Sequence, residues 1–203
     1  MKTGNDISEL YRKYVVKVKW HDRFFYCVWG TDMSAPDEKD CLLLSDSNRI
    51  VFFQKLADLK QNIYHYKEGF FDSKNFQPWV EKNKFSGSYS TIDLDMLNVH
   101  SAKYLEEICS DKEAARELLD VLNFVGDFAR QASTAELVEL LDLPGVVSVL
   151  DLIYDNYFWK PAENAEYDIT TLVNSIDTSC FSAIFACLDQ YIVIDASNGN
   201  TGS

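Results

Sequence analysis

Hydrophobic and polar residues alternate near the start of the chain in the manner of β-strands. In 14–20, valines and a tryptophan occupy one face, and Lys17 and Lys19 occupy the other. Such alternation predicts a strand that buries one face. A second apolar run at 23–29 follows a polar pair at 21–22, so the two runs predict a β-hairpin.

The pattern changes twice before residue 100. Apolar runs at 41–44 and 49–53 predict two more strands. Apolar residues then recur at intervals of three and four across 56–63, which predicts a helix. Aromatic residues are scattered through 64–100 without a period, which predicts an irregular connector with room for one short helix. Within it, 92–97 fits either a strand or the start of a helix.

The second half of the chain follows a helical period. Ser110–Glu113 has the capping-box pattern that opens a helix, and Ser133–Glu136 repeats it. Pro144 predicts the start of a third helix, and Asp168 is a candidate cap for a fourth. The segment 180–194 is apolar enough for a buried helix, although its last four residues are locally strand-like.

These patterns predict an α+β protein with an antiparallel β-rich N-terminal half and an all-helical C-terminal half. We expect a mixed β/α subdomain over 1–100, an acidic helical subdomain over 101–196 and a disordered tail over 197–203. The chain is 47% hydrophobic and 14% aromatic over 203 residues. That is enough apolar material for a core without metal or disulfide staples.

Net charge separates the two halves. Residues 1–98 contain 14 Lys/Arg and 14 Asp/Glu, whereas residues 99–203 contain 5 Lys/Arg and 18 Asp/Glu, so the second half holds the whole net charge of −13. An acidic surface repels phosphates, which argues against direct nucleic-acid binding. It favours a basic protein partner. The alternative is that the acid only keeps the protein soluble.

One helix face concentrates part of this acid. Glu113, Glu117 and Asp120 follow helical spacing, and Asp127 lies two turns beyond Asp120. Like charges three or four residues apart cost a few tenths of a kcal/mol each. A segment that keeps such repulsions is a candidate for partner binding, and an ordinary solvated helix face is the alternative.

A second acidic group surrounds an aromatic run. Its acids are Asp151, Asp155, Glu163, Glu166 and Asp168, and its aromatics are Tyr154, Tyr157, Phe158 and Trp159. Aromatic side chains rimmed by charge resemble a binding hot spot. Alternatively, Phe158 and Trp159 close the core at a helix end. The predicted partner-binding residues from both groups are Glu113, Glu117, Asp120, Asp127, Asp151, Asp155, Tyr157 and Glu163.

Catalysis has few candidate residues. His21, His65 and His100 lie in different segments, and nucleophile, phosphate-binding and metallopeptidase motifs are absent. The sequence therefore predicts a protein that is not an enzyme and has no catalytic residue, cofactor or metal site. A Cys/His dyad assembled in space stays open, although Cys27 and Cys41 lie in apolar runs typical of inert core thiols.

Cysteine usage and hydropathy predict a cytoplasmic protein. Five cysteines are an odd number, and they lack the CxxC spacing of zinc sites, so reduced thiols are the simplest interpretation. No run approaches the ~18 uncharged apolar residues of a membrane span. Residues 1–9 are polar and lack the apolar core of a secretory signal.

A combination of elements in 41–60 gives a more specific indication. A strand ends in Leu43-Leu44-Ser45, a short polar turn follows, a second strand ends at Phe53, and the next helix contains a Leu-x-x-Leu pair. This arrangement resembles bacterial immunity proteins, which neutralise the toxin domains of contact-dependent growth inhibition and related polymorphic-toxin systems. With the preceding strands, the resemblance covers 13–63, under a third of the chain.

The resemblance implies a non-catalytic inhibitor that covers the active site of a toxin, often a nuclease. A nuclease cleft is basic because it binds phosphates, so an acidic protein surface can occupy it. The expected partner is therefore a basic protein, with no direct contact to nucleic acid or membrane. An acidic adaptor or regulatory domain unrelated to toxins is the alternative, followed by an enzyme with a dispersed Cys/His/Asp site.

Overall fold

A computed structural model describes residues 4–66, 72–159 and 169–195 of the chain. Strands dominate the N-terminal part and helices the C-terminal part, which confirms the predicted α+β class. The chain divides into two compact units. The first unit is discontinuous: it consists of the chain up to Ile92 and of the chain from Tyr191 onward. The second unit is Asp93–Gln190.

A mixed sheet organises the first unit. Its strands are β1 (Lys13–Trp20), β2 (Arg23–Thr31), β3 (Asp40–Leu42), β4 (Ile50–Phe53), β5 (Ser90–Asp93) and β6 (Ile192–Asp195). The strand order is β5-β1-β2-β4-β6, and β3 also pairs with β2. Strand β2 is antiparallel to β1, β3 and β4, whereas β6 is parallel to β4.

The β1–β2 hairpin is confirmed, and its turn is as short as predicted. Pairing begins at Lys13↔Gly30 and continues to Trp20↔Arg23. His21 and Asp22 both have positive φ, at 50° and 56°. Two consecutive residues in this region are typical of a type I′ turn, whose twist matches that of the flanking strands.

Helices cover one face of this sheet. They are α1 (Gly4–Tyr11), α2 (Leu56–Asn62) and α3 (Ser73–Lys82). The core between sheet and helices contains Val15, Val28 and Phe53 from the strands, and Phe76 and Trp79 from α3. Helix α2 is the predicted one, α3 is the short helix for which the connector had room, and α1 was not predicted.

A fully buried ion pair lies at the edge of this core. Lys13 Nζ is 2.8 Å from Asp72 Oδ2, and both side chains are 0% exposed. Lys13 also donates to the carbonyl oxygens of Thr31 at 2.5 Å and Tyr11 at 3.1 Å. Asp72 accepts from the backbone N–H of Met33 at 3.1 Å. The pair therefore joins the start of β1, the end of β2 and the start of α3.

The second unit is built from helices. They are α4 (Ala102–Ser110), α5 (Lys112–Gln131), α6 (Ala135–Leu141), α7 (Pro144–Tyr154), α8 (Ile169–Asn174) and α9 (Ser179–Asp189). Pro144 opens α7 as predicted. The cap of α5 is Asp111, which accepts from the Ala114 N–H at 2.8 Å, rather than Ser110, which ends α4. The candidate cap Asp168 lies outside the described residues.

The C-terminal half is not all-helical. The apolar segment 180–194 divides into α9 and the strand β6, whose Ile192–Ile194 pair with Ile50–Phe52 of β4. The boundary between the units falls at Ile92 rather than at residue 100. The expected tail 197–203 lies outside the described residues. Among the helices that the structure describes, none is both long enough and apolar enough to cross a membrane.

We predict that Asp72→Ala destabilises the first unit by about 3–5 kcal/mol, because the buried Lys13 ammonium then lacks its counter-ion. Urea denaturation followed by circular dichroism measures the change. Asp46→Ala, at an exposed turn position, is the matched control and should change stability by less than about 0.5 kcal/mol. Equal effects of the two substitutions would contradict the prediction.

The same pair predicts a pH dependence. Burial raises the pKa of Asp72, but the hydrogen bonds from Lys13 and Asn75 outweigh it and lower that pKa. A lowered folded-state pKa gives stability that is complete above the ordinary Asp pKa of about 3.9 and is lost as pH falls through the folded-state value. The free energy of unfolding of the wild-type protein should therefore decrease as the pH falls in the acid range. Asp72→Ala should lack the part of this decrease that comes from Asp72.

Candidate functional site

The first half of α5 carries an acidic face. Glu113 and Glu117 are exposed, and Asp120 is half-buried one turn further. These three residues share one face because a helical turn takes 3.6 residues. Burial raises the pKa of Asp120, and the charge of Arg116 opposes that rise. The carboxylates most accessible to a partner are therefore those of Glu113 and Glu117.

The acidic face does not continue to Asp127. From Val121 onward most residues of α5 are buried: Val121, Leu122, Phe124, Val125, Gly126, Phe128 and Ala129. The Asp127 side chain is 13% exposed and accepts from the Arg130 guanidinium at 2.7 Å. Asp127 belongs to a local ion pair, so the surface offered by α5 ends at Asp120.

Exposed aromatic side chains lie at the end of α7. The helix ends in a π-helical turn, Asp155–Trp159. The Tyr154 and Trp159 rings stack with centroids 4.9 Å apart, and the Phe158 ring meets Tyr154 edge-on at 6.1 Å. Trp159 is 72% exposed and Phe158 39%. The interpretation that these two residues close the core is therefore wrong.

Carboxylates flank this aromatic cluster. Asp151 is exposed one turn before Asp155, which is half-buried at the start of the π-helical turn. Glu163 and its acidic neighbours 166 and 168 lie outside the described residues. The described part of the second acidic group is thus an aromatic cluster with one exposed acid, Asp151, beside it.

Tyr157 connects the aromatic turn to the end of α4. Its hydroxyl donates to the Cys109 carbonyl oxygen at 2.8 Å, near the end of α4. Burial, followed by the nearby Cys109 and Asp111, raises the pKa of Tyr157. This contact places the turn beside Asp111, the cap of α5 and the start of the acidic face. We call Glu113, Glu117, Asp151, Tyr154, Phe158 and Trp159 the acidic–aromatic surface.

Sequence reasoning assigned Tyr157 to the binding set and left Tyr154 and Trp159 out of it. The structure uses the Tyr157 hydroxyl internally, and it exposes Trp159 instead. The hydrophobicity pattern could not predict which of these aromatic side chains is exposed. The π-helical turn moves each side chain by a fraction of a turn from the position that an α-helix would give it.

The histidines and cysteines, which are the candidate catalytic side chains, are either far apart in the sequence or buried. His21, His65 and His100 are all exposed and lie in different segments: the β1–β2 turn, a 3₁₀ helix at Ile63–Tyr66 and the irregular segment before α4. All five cysteines are buried and free. Burial raises the pKa of the thiols of Cys109 and Cys187 to about 11, which keeps them protonated at neutral pH. In the part of the chain that the structure describes, no His/Cys/Asp/Glu group of three or more could hold a metal ion.

No protein-family model and no curated protein matches this chain. Its fold is similar to the crystal structure of the SatS C-terminal domain in complex with bromine. The TM-score is 0.58, over 96% of this chain and 100% of that chain. The two sequences are 10% identical, so this likeness shows the fold alone.

The burial of these acids predicts which charge reversals the fold tolerates. Glu117→Lys and Asp151→Lys should each change the free energy of unfolding by less than about 0.5 kcal/mol, because both positions are exposed. Asp127→Lys should cost more than about 1 kcal/mol, because it places a second cation beside Arg130 in a nearly buried position. Urea denaturation of the three variants measures this, and equal costs would contradict it.

Proposed function

We propose that this protein binds a basic partner protein through the acidic–aromatic surface. The observation that carries the proposal is Trp159, which is 72% exposed and stacked on Tyr154 beside the exposed Asp151. Aromatic anchors at the centre of a patch and charges at its rim are the arrangement that dominates binding energy in protein interfaces.

The sign of the charge defines the partner. The second unit, with 5 Lys/Arg and 19 Asp/Glu, holds all of the excess acid, and its described acids include exposed carboxylates on both α5 and α7. Complementary charge speeds the encounter of two proteins more than it strengthens the final complex. We expect the acids to control the association rate and the aromatic cluster to control the dissociation rate.

The specific form of this proposal is an immunity protein that neutralises a cognate bacterial toxin domain. It rests on the resemblance of 41–60 to that class, and on the match between an acidic surface and the basic cleft of a nuclease. Buried, protonated thiols and dispersed histidines support a function without catalysis. An adaptor for another basic protein would use the same surface, so the partner must be identified by experiment.

The test begins by identifying a partner. Affinity capture from the native host at low salt, followed by mass spectrometry, should return a basic protein with wild type and less of it with Glu117→Lys/Asp151→Lys. Co-expression then separates the two forms of the proposal. An immunity protein should restore growth to cells that produce the captured partner, whereas an adaptor should leave their growth unchanged.

Binding kinetics with the purified partner test the surface itself. We predict that Glu117→Lys/Asp151→Lys slows association about tenfold at low salt and that this difference fades as salt rises, because screening acts over ~8 Å at 0.15 M. Trp159→Ala should raise the dissociation rate about thirtyfold, the effect of losing a hot-spot residue worth about 2 kcal/mol.

Matched substitutions in the first unit serve as controls. Glu81→Lys reverses an exposed acid and Tyr64→Ala removes an exposed aromatic ring, and both should leave the kinetics unchanged. Binding that is indifferent to salt, to the double reversal and to Trp159→Ala would refute the proposed surface and leave the acid with a role in solubility alone.

A further inference from the structure

A cavity lies in the first unit, on the sheet. It is a cavity of ≈270 Å³, and its lining includes Tyr14, Trp29, Gly30, Asp40, Tyr89 and Ser90. Tyr14 of β1 and Trp29 of β2 are directly paired across the hairpin, so their rings stand on the same face of the sheet. Tyr89 precedes β5, and its backbone N–H donates to Val15 of β1 at 2.8 Å.

The tyrosine walls of this cavity are held in place. The Tyr14 and Tyr89 rings lie with centroids 4.5 Å apart, at 44°. Both hydroxyls donate to the Glu9 carboxylate, that of Tyr14 at 3.5 Å. Burial and the Glu9 charge raise the pKa of Tyr14, and the hydrogen bond to Glu9 raises that of Tyr89. The hydroxyls therefore stay neutral, and the nearest formal charge beside them is negative.

Asp40 places a carboxylate in the lining. One of its oxygens accepts from the Thr31 hydroxyl at 2.6 Å, and a carboxylate accepts at about four positions, so capacity for a ligand remains. The neighbouring cation Arg12 is ion-paired with Glu38 at 2.6 Å. The charge of Arg12 also acts on Asp40 and Tyr14. The carboxylates of Glu9, Glu38 and Asp40 outnumber this cation, so the balance of these four charges is negative.

Gly30 contributes backbone rather than a side chain. A Cβ at this position would lie 2.4 Å from the Arg12 carbonyl oxygen, closer than any real contact. Only glycine permits β1 and β2 to approach this closely. The cavity consequently has aromatic walls and one carboxylate, and at Gly30 it is lined by backbone alone.

We propose that this cavity binds the guanidinium group of an arginine side chain. A planar, weakly hydrated cation stacks on tyrosine and tryptophan faces and donates in its own plane to a carboxylate. A lysine ammonium is more strongly hydrated and lacks the flat surface for stacking. The volume is just below the ~300–1,000 Å³ of whole-ligand pockets, which suits a single side chain better than a cofactor.

This inference stands apart from the proposed function, because a free arginine derivative tests it without any partner protein. The probe is Nα-acetyl-L-arginine amide, titrated into the full chain at constant ionic strength and followed by two-dimensional NMR of the Trp29 indole N–H. A single side chain should bind with a dissociation constant on the order of 1 mM. The citrulline analogue, of equal shape and no charge, should not shift the signal, and the lysine analogue should bind several-fold more weakly.

Two substitutions locate the site. Asp40→Asn removes the charge and Tyr89→Leu removes an exposed ring, and each should weaken arginine binding about tenfold. Asp46→Asn and Tyr64→Leu make the same changes at exposed positions elsewhere in the first unit, and they should leave binding unchanged. Tyr89 is 47% exposed, so its variant should fold even if Asp40→Asn disturbs the contact with Thr31.

Three outcomes would overturn the inference. The Trp29 signal could stay unmoved at tens of millimolar arginine derivative, which is far above the expected dissociation constant. The citrulline analogue could shift it as strongly, which would make the interaction stacking without charge recognition. Finally, the control variants could weaken binding as much as Asp40→Asn and Tyr89→Leu, which would make it non-specific.

Discussion

The buried pair between Lys13 and Asp72 is the constraint on which the first unit depends. Two charges without solvent exposure are costly unless every hydrogen-bonding position is used. Here the three protons of the ammonium meet three oxygens, those of Asp72, Thr31 and Tyr11. Any shift of the ends of β1 and β2 or of the start of α3 would break one of these hydrogen bonds and leave buried charge uncompensated, a penalty that apolar packing alone does not impose.

Helices and hairpins that are determined by residues close together in the sequence could be predicted from the sequence. The β1–β2 hairpin follows from two apolar runs and a two-residue turn, and α2 and α7 follow from spacing and Pro144. Lys13 could not be predicted, because lysine in an alternating strand indicates a solvent-facing position and its partner lies 59 residues away. Strand β6 was left undecided for a similar reason: its residues are locally strand-like, but its partner β4 is remote in sequence and a short apolar run fits a helix equally well.

Not all acids of the second unit require a partner to explain them. Asp111 caps α5, and Glu113 lies in its first turn, where the helix dipole stabilises negative charge by about 0.3–1 kcal/mol. That stabilisation offsets the repulsion between neighbouring acids from which the sequence argument began. Glu117 lies beyond the first turn of α5, and Asp151 lies in the second half of α7, so neither carboxylate is stabilised by the dipole of a helix N-terminus. These two carboxylates are therefore the stronger indication of recognition.

The charge of the second unit fits both solubility and recognition of a partner, and the aromatic cluster distinguishes between these two explanations. Solubility accounts for an acidic surface, but it does not account for a tryptophan that is 72% exposed. Core packing accounts for aromatic residues at a helix end, but those residues would then be buried. Stacking on Tyr154 limits the rotamers of Trp159 before any partner arrives, so less side-chain entropy is lost on binding. Trp159 is thus an aromatic anchor that is ordered before binding. It lies beside Asp151, an acid that does not stabilise its helix, and recognition of a basic protein surface uses this combination of an aromatic ring and a carboxylate.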